Sequence, residues 1–159
     1  MTIAIYPGSF DPITNGHLDI LKSGSEVFDK VIIAVSHNIN KKSLLTAEER
    51  VDLIKKTVRN IPNVEVALFE GLTIDFAKKC NAEVLLRGLR TSFDFEYELQ
   101  LSQTNQALYN NIKTVFMITK PEFSFISSSM VREILAHKGD ISKFVPTEVE
   151  KYLKSKHDI

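Results

Sequence analysis

The sequence predicts an α/β protein, a five-stranded parallel sheet flanked by helices. Five short apolar runs rich in β-branched residues recur along the chain, each too short for a helix. Between them lie segments with helical spacing, and strands that alternate with helices indicate parallel pairing through right-handed crossovers. The residues with the most chemistry cluster at or just after the ends of those strands, the edge where open parallel sheets bind ligands.

Taken in order, Thr2 to Tyr6 is the first strand. It delivers the chain into Gly8-Ser9-Phe10-Asp11-Pro12-Ile13-Thr14-Asn15-Gly16-His17. Gly8 and Gly16 let the backbone approach a ligand or take positive φ, and Pro7 and Pro12 fix φ on either side. A helix follows from about Asn15 to Phe28. Val31 to Val35 is the second strand, buried on both faces. After a polar loop, Ser36 to Ser43, Thr46-Ala47-Glu48-Glu49 has capping-box spacing, with Thr46 as N-cap and Glu49 reaching back. That helix runs to about Arg59 and stops before Ile61-Pro62-Asn63.

Val64 to Phe69 is the third strand, Leu72 to Cys80 a short helix, and Glu83 to Leu86 the fourth strand, ending at Arg87-Gly88-Leu89-Arg90. Thr114 to Ile118 is the fifth. Helices are expected from about Ser128 to His137 and from Pro146 to Lys156, with Pro146 in the first turn. One segment pulls both ways. Phe93 to Leu101 alternates apolar and polar, which taken alone favours a strand. But Glu, Gln and Leu favour a helix and the polar run to Asn110 has no strand character, so a helix is expected. Read as a helix it carries two apolar stripes, Phe93-Tyr97-Leu101 and Phe95-Leu99, an arc wide enough to suggest a subunit contact.

At 159 residues, with 43% apolar and 25% charged residues, the chain suits one soluble domain spanning 1–159. Twenty basic residues balance twenty acidic ones, so no global field favours nucleic acid or an anionic membrane. Cys80 is the only cysteine, which rules out an intrachain disulfide. With neither a leader pattern nor a span-length apolar run, a cytoplasmic location is expected.

Four clusters carry chemistry. Gly8 to His17 has the layout of an anion site at a strand-to-helix turn, although a purely structural turn would use the same glycines. Asn40-Lys41-Lys42 is either a solvated loop or a phosphate contact. Arg87-Gly88-Leu89-Arg90 could cradle a phosphate bidentately or join a salt-bridge network. Phe123-Ser124-Phe125-Ile126-Ser127-Ser128-Ser129 offers hydroxyls and a helix N-terminus to a polyanion, or simple caps to the helix. Neither GxGxxG nor GxxxxGK[ST] occurs, which argues against dinucleotide binding and a P-loop. Without CxxC or HExxH spacing, no protein-held metal is expected. His37, His137 and His157 lie in polar loops or tails and read as solvated, and Cys80 as a small core residue.

Gly8-Ser9-Phe10-Asp11-Pro12, Thr14-Asn15-Gly16-His17, Arg87-Gly88-Leu89-Arg90, Asp94-Phe95-Glu96-Tyr97-Glu98 and Ile126-Ser127-Ser128-Ser129 together resemble the bacterial phosphopantetheine adenylyltransferases of the nucleotidyltransferase superfamily. The similarity runs from about Ile3 to Leu153. It implies a Rossmann-like nucleotidyltransferase fold, the partners ATP and 4′-phosphopantetheine, Mg²⁺ held mainly by ATP phosphates, and a homohexamer. By the same resemblance, His17, Lys41 and Arg90 are catalytic. Ser9, Phe10, His17, Gly88, Leu89, Arg90, Glu98 and the stretch Phe123, Ser124, Phe125, Ile126, Ser127, Ser128 and Ser129 bind ATP. Ser9, Lys41, Arg87 and the backbone near Thr73 bind the acceptor; the resemblance selects Lys41 over its neighbour Lys42. Ser9 stands where many members have threonine, and Thr73 where members vary among apolar residues. Two rivals stand beside this reading: a superfamily member acting on another phosphorylated acceptor, such as nicotinate mononucleotide or glycerol phosphate, and a non-catalytic nucleotide sensor.

Overall fold

β-branched runs that are apolar at every position can be satisfied only inside a sheet covered on both faces. The computed structural model, which describes residues 1–158, has that arrangement. In chain order the elements are β1 (Ile3–Gly8), α1 (Asn15–Val27), β2 (Lys30–Ser36), α2 (Ala47–Val58), β3 (Val64–Phe69), α3 (Thr73–Lys79), β4 (Val84–Leu89), α4 (Ser92–Leu108), β5 (Lys113–Ile118), α5 (Ser128–Ala136) and α6 (Thr147–His157). A 3₁₀ turn at Pro121–Phe123 lies between β5 and α5. All pairings are parallel, in the order β3-β2-β1-β4-β5. Ala4 and Tyr6 of β1 face a larger core shared with α1, α2, α5 and α6, while Ile5 faces a smaller one shared with α3. Ile5, Ile33, Leu85 and Leu86 are fully buried, each stabilising the fold by about 1.5–3 kcal/mol relative to exposure.

The caps follow the sequence. Thr46 Oγ1 accepts from Glu49 N at 3.1 Å and Glu49 Oε2 accepts from Thr46 N at 2.8 Å, the expected capping box at the start of α2. The ambiguous segment is helical: Thr91 caps α4 by accepting from Asp94 N, and of its residues only Glu98 is buried. Phe93 and Tyr97 stay 85% and 66% exposed.

Three expectations are corrected. β4 does not end at Leu86 but continues through Arg87, Gly88 and Leu89, which pair with Phe116, Met117 and Ile118 of β5. A Cβ on Gly88 would lie 2.9 Å from Ile20 Cγ1, so the glycine lets α1 pack closely over this end of the strand. Pro146 is the N-cap of α6, not part of its first turn. Positive φ falls on neither Gly8 nor Gly16 but on Phe10, at 50°, next to a cis Asp11–Pro12 bond. A left-handed phenylalanine is uncommon, and such strain persists only where the surroundings impose it.

The sheet also opens where its order reverses. β1 pairs with β2 from Ile3 to Gly8, but with β4 only at Ala4↔Val84 and Ile5↔Leu85. Beyond those rungs the ends of β1 and β4 separate, leaving a crevice at the topological switch point.

Candidate active site: a cleft where the sheet divides

Tyr6, Gly8 and Phe10 line one side of the crevice, Arg87 and Gly88 the other, and His17, Ile126, Ser127 and Ser128 close it, around a cavity of about 240 Å³. Its most constrained group is His17, the third residue of α1. Thr14, the N-cap, accepts from His17 N at 3.3 Å through Oγ1. In return Thr14 N donates to His17 Nδ1 at 3.1 Å. Histidine thus replaces the usual Glu or Gln of a capping box. A ring nitrogen that accepts a backbone N–H carries no proton, so the proton of the neutral imidazole sits on Nε2. Burial, reinforced by Arg90 and Arg87, lowers the His17 pKa to about 4. At neutral pH His17 is an uncharged N–H donor whose other nitrogen is already engaged. The rings of Phe10 and Tyr6 meet it edge to face, at 5.0 and 6.5 Å between centroids.

Arg87 occupies the gap between the strands. Its Nη1 donates to Pro7 O at 3.0 Å, reaching across the division between β4 and β1. Nε and Nη2 grip the Glu98 carboxylate bidentately, with Nε at 2.7 Å from Oε2. Burial alone would lower the arginine's pKa, but Glu98 more than offsets it and the pKa is raised. Arg90 donates to both oxygens of Asp94 and, through Nη1, to Ile126 O at 3.1 Å. Burial works to raise the Asp94 carboxyl, yet the hydrogen bonds from Arg90 outweigh it and hold it below the ordinary value.

The serine run has less freedom than its sequence suggests. Ser127 Oγ accepts from Met130 N as the cap of α5, and Ser128 Oγ donates to Pro12 O at 2.7 Å. Ser129 is exposed. What α5 still offers an anion is its first N–H groups and dipole end.

Two further spaces adjoin the cleft. Arg87 also borders an apolar recess of about 190 Å³, lined by Leu72, Thr73, Leu85, Leu101 and Leu108. Thr73, the first residue of α3, meets that recess and not the cleft. On the other side of Ser9 lies a small basic recess bordered by Lys41, Lys42, Arg50 and Arg132. Arg50 is 3% exposed and is held by the carbonyls of Ser9, Ser36 and Thr46. Buried Asp11 accepts from Leu44 N and Leu45 N, at 2.8 and 2.9 Å, and so secures the end of the lysine loop. Among the described residues, no group of three or more His, Cys, Asp or Glu side chains could hold a metal.

A family model for cytidylyltransferase-like proteins matches residues 5–134. The phosphopantetheine adenylyltransferase of Lachnoclostridium phytofermentans is 51% identical, over 99% of this chain and 97% of its own length. One from Clostridium botulinum is 54% identical over 94% of each chain. The chain belongs to the phosphopantetheine adenylyltransferase family. A Vibrio parahaemolyticus crystal structure, described as a nicotinate-nucleotide adenylyltransferase, superposes with a TM-score of 0.71 over 96% of this chain and 99% of its own. At 20% identity it speaks for the nucleotidyltransferase fold alone.

Of the residues that the family resemblance selected, the structure gathers Phe10, His17, Arg87, Gly88, Arg90, Glu98, Ile126, Ser127 and Ser128 around the one cleft. It does not bring Ser9 or Lys41 there; both border the basic recess and a neighbouring open space near His37 and Glu70. Lys42 borders the basic recess. Leu89, Phe123, Ser124, Phe125 and Ser129 do not line the cleft, and Phe125 is 61% exposed. Glu98 reaches the cleft, but its carboxylate is engaged by Arg87. His37, expected to be solvated, lies 2.8 Å from Glu70 Oε1. Arg50 and Arg132 were not singled out in the sequence, and Thr14 and Asp94 stood there only within motifs, with no role of their own. Thr14 had a signal in its position three residues before His17, hidden because histidine is not a usual partner in that box.

Proposed function

We infer that this member of the phosphopantetheine adenylyltransferase family transfers the adenylyl group of ATP to 4′-phosphopantetheine, giving dephospho-coenzyme A and pyrophosphate, the penultimate step of coenzyme A synthesis. The observation that carries this reading is the junction at Arg87. A cleft furnished with two arginines, a neutral imidazole N–H and a helix N-terminus meets there an apolar recess suited to an uncharged pantetheine arm.

The acceptor's phosphate attacks the α-phosphorus in line and pyrophosphate leaves. A phosphate is already anionic at neutral pH, so the reaction needs no general base. The work is to hold two repelling anions in register and to neutralise charge growing on the α-phosphoryl oxygens. Orientation supplies about 7–11 kcal/mol of the barrier. We assign His17 Nε2–H and Lys41 to the developing charge, each contributing about 2.7–4 kcal/mol. Arg90 and the N-terminus of α5 bind the nucleotide's phosphates, as do Ser9 and Phe10 at the turn. Gly88, Leu89 and Glu98 bind the nucleotide, and Phe123 to Ser129 wrap its adenine and phosphates. Arg87, Ser9, Lys41 and the backbone at Thr73 receive the acceptor. Lys41 stands outside the cleft, so its role requires the lysine loop to move toward His17 when substrates bind, while Ser9 borders the adjoining basic recess at the turn after β1.

The donor groups around the cleft are cationic or neutral N–H groups rather than free carboxylates, which fits Mg²⁺ carried on the nucleotide's phosphates. When bound there it offsets phosphate charge. We further propose a single domain over residues 1–159, a cytoplasmic location and a homohexamer. Phe93 and Ile118, 85% and 84% exposed, support burial of α4 and the sheet edge against another copy. No helix among the described residues is long and apolar enough to cross a membrane.

Incubation of the purified protein with Mg-ATP and 4′-phosphopantetheine should release pyrophosphate and form dephospho-coenzyme A. Turnover only with nicotinate mononucleotide or glycerol phosphate would overturn the choice of acceptor, and ATP binding without turnover would make the protein a sensor. Sedimentation as a monomer at micromolar concentration would refute the hexamer alone.

A further inference from the structure

Tyr6 belongs to none of the roles above, yet its hydroxyl is placed as if for a ligand. The residue is 5% exposed, in the middle of the pairing between β1 and β2, and it lines the nucleotide cleft. Every fully occluded side-chain nitrogen or oxygen among the described residues has a hydrogen-bond partner. The Tyr6 hydroxyl is not among those with a partner in the protein, so it is not fully occluded, and Tyr6 borders the cleft. The ring itself is fixed, edge-on to Phe10 at 5.3 Å.

The neighbouring acids do not claim the hydroxyl. Arg87 engages both Glu98 oxygens, and Arg90 both of Asp94. Burial, opposed by Arg87, pushes the phenol pKa above its ordinary value, so the group keeps its proton. A protonated hydroxyl at the cleft surface is a free donor, and where no ligand is to be met phenylalanine would serve the core as well. We propose that the Tyr6 hydroxyl donates a hydrogen bond to an acceptor oxygen of the bound nucleotide, which makes Tyr6 a further nucleotide-contacting residue of the cleft that Arg90 and the start of α5 also line.

This inference rests on the reading of the cleft as an ATP site, and the test separates the two. Tyr6→Phe and the wild-type full chain are compared by calorimetry with Mg-ATP and with 4′-phosphopantetheine, by turnover and by thermal melting. The expected result is a melting temperature unchanged or higher, ATP binding weaker on the order of tenfold, and unaltered acceptor binding. ATP affinity equal to wild type would overturn the inference while leaving the ATP site intact. So would weakened binding of the acceptor alone, or a fall in kcat without a change in ATP affinity, since the hydroxyl would then serve the acceptor or the His17 ring. A wild-type protein that binds no ATP would overturn both.

Discussion

The two nitrogens of His17 carry one task seen in the cap of α1 and one proposed in catalysis, and substitution can separate them. Nδ1 accepts Thr14 N–H at 3.1 Å and completes the cap of α1. Nε2–H faces the cleft. His17→Ala removes both functions. Loss of the donor costs about 2.7–4 kcal/mol of transition-state stabilisation, a fall in kcat on the order of 10²–10³. Loss of the reciprocal cap costs about 1 kcal/mol of stability. His17→Gln should restore the cap, because a glutamine at this helical position reaches back to the N-cap N–H. Its amide NH₂ remains a donor, but with the oxygen committed to Thr14 N it does not hold the position and direction of the imidazole Nε2–H. The two variants should therefore share the same loss of turnover but differ in stability, with ATP affinity little changed in either. Pyrophosphate release at saturating substrates and urea unfolding give the two readouts. If His17→Ala turned over at the wild-type rate, or if kcat in the pair tracked stability, the reasoning from the Nε2 proton would be refuted.

Glu98→Ala should destabilise the protein by about 3 kcal/mol in urea unfolding and abolish turnover, because it strands Arg87 in a largely buried position. Gly88→Ala should cost about 1–3 kcal/mol in the same experiment, since its Cβ would press on Ile20 at 2.9 Å and α1 must give way. Glu49 predicts a pH dependence: burial works to raise its pKa, but Lys156 and Tyr152 dominate and lower it to about 2 from 4.5. The folded state therefore holds this proton less readily than the unfolded chain. Its stabilisation is fully present above pH 4.5 and lost as pH falls toward 2. Discounted for partial exposure, that amounts to about 1–2 kcal/mol, and Lys156→Ala with Tyr152→Phe should flatten this part of a stability–pH profile.

The fold was legible where local rules and tertiary packing agree. Thr46 and Glu49 form the box their spacing announces, and the β-branched runs have no stable place other than a covered sheet. Phe93 to Leu101 was harder, because its alternation imitates a strand and its helical stripe leaves Phe93 and Tyr97 facing solvent. In the site, residue types were readable but their commitments were not. That Arg87 would spend three donors on Glu98 and Pro7, and that Ser127 and Ser128 would serve the fold, depends on which strands separate and how far. Positive φ was expected at glycine for steric reasons; it fell on Phe10, whose ring is held against Tyr6 and His17.

The division between β1 and β4 has a mechanical consequence. Two rungs, Ala4↔Val84 and Ile5↔Leu85, and one guanidinium across the gap tie the strand ends at the crevice, while the β1–β2 ladder runs from Ile3 to Gly8 and the β4–β5 ladder from Val84 to Leu89. The seam of the sheet thus coincides with the floor of the cleft. A small splay of the β4–β5–α4 unit about that seam would widen the entrance without breaking either longer ladder. Amides near Tyr6 to Gly8 and Leu86 to Leu89 should accordingly exchange through local opening, and nucleotide that bridges the gap should act as a clasp that slows them.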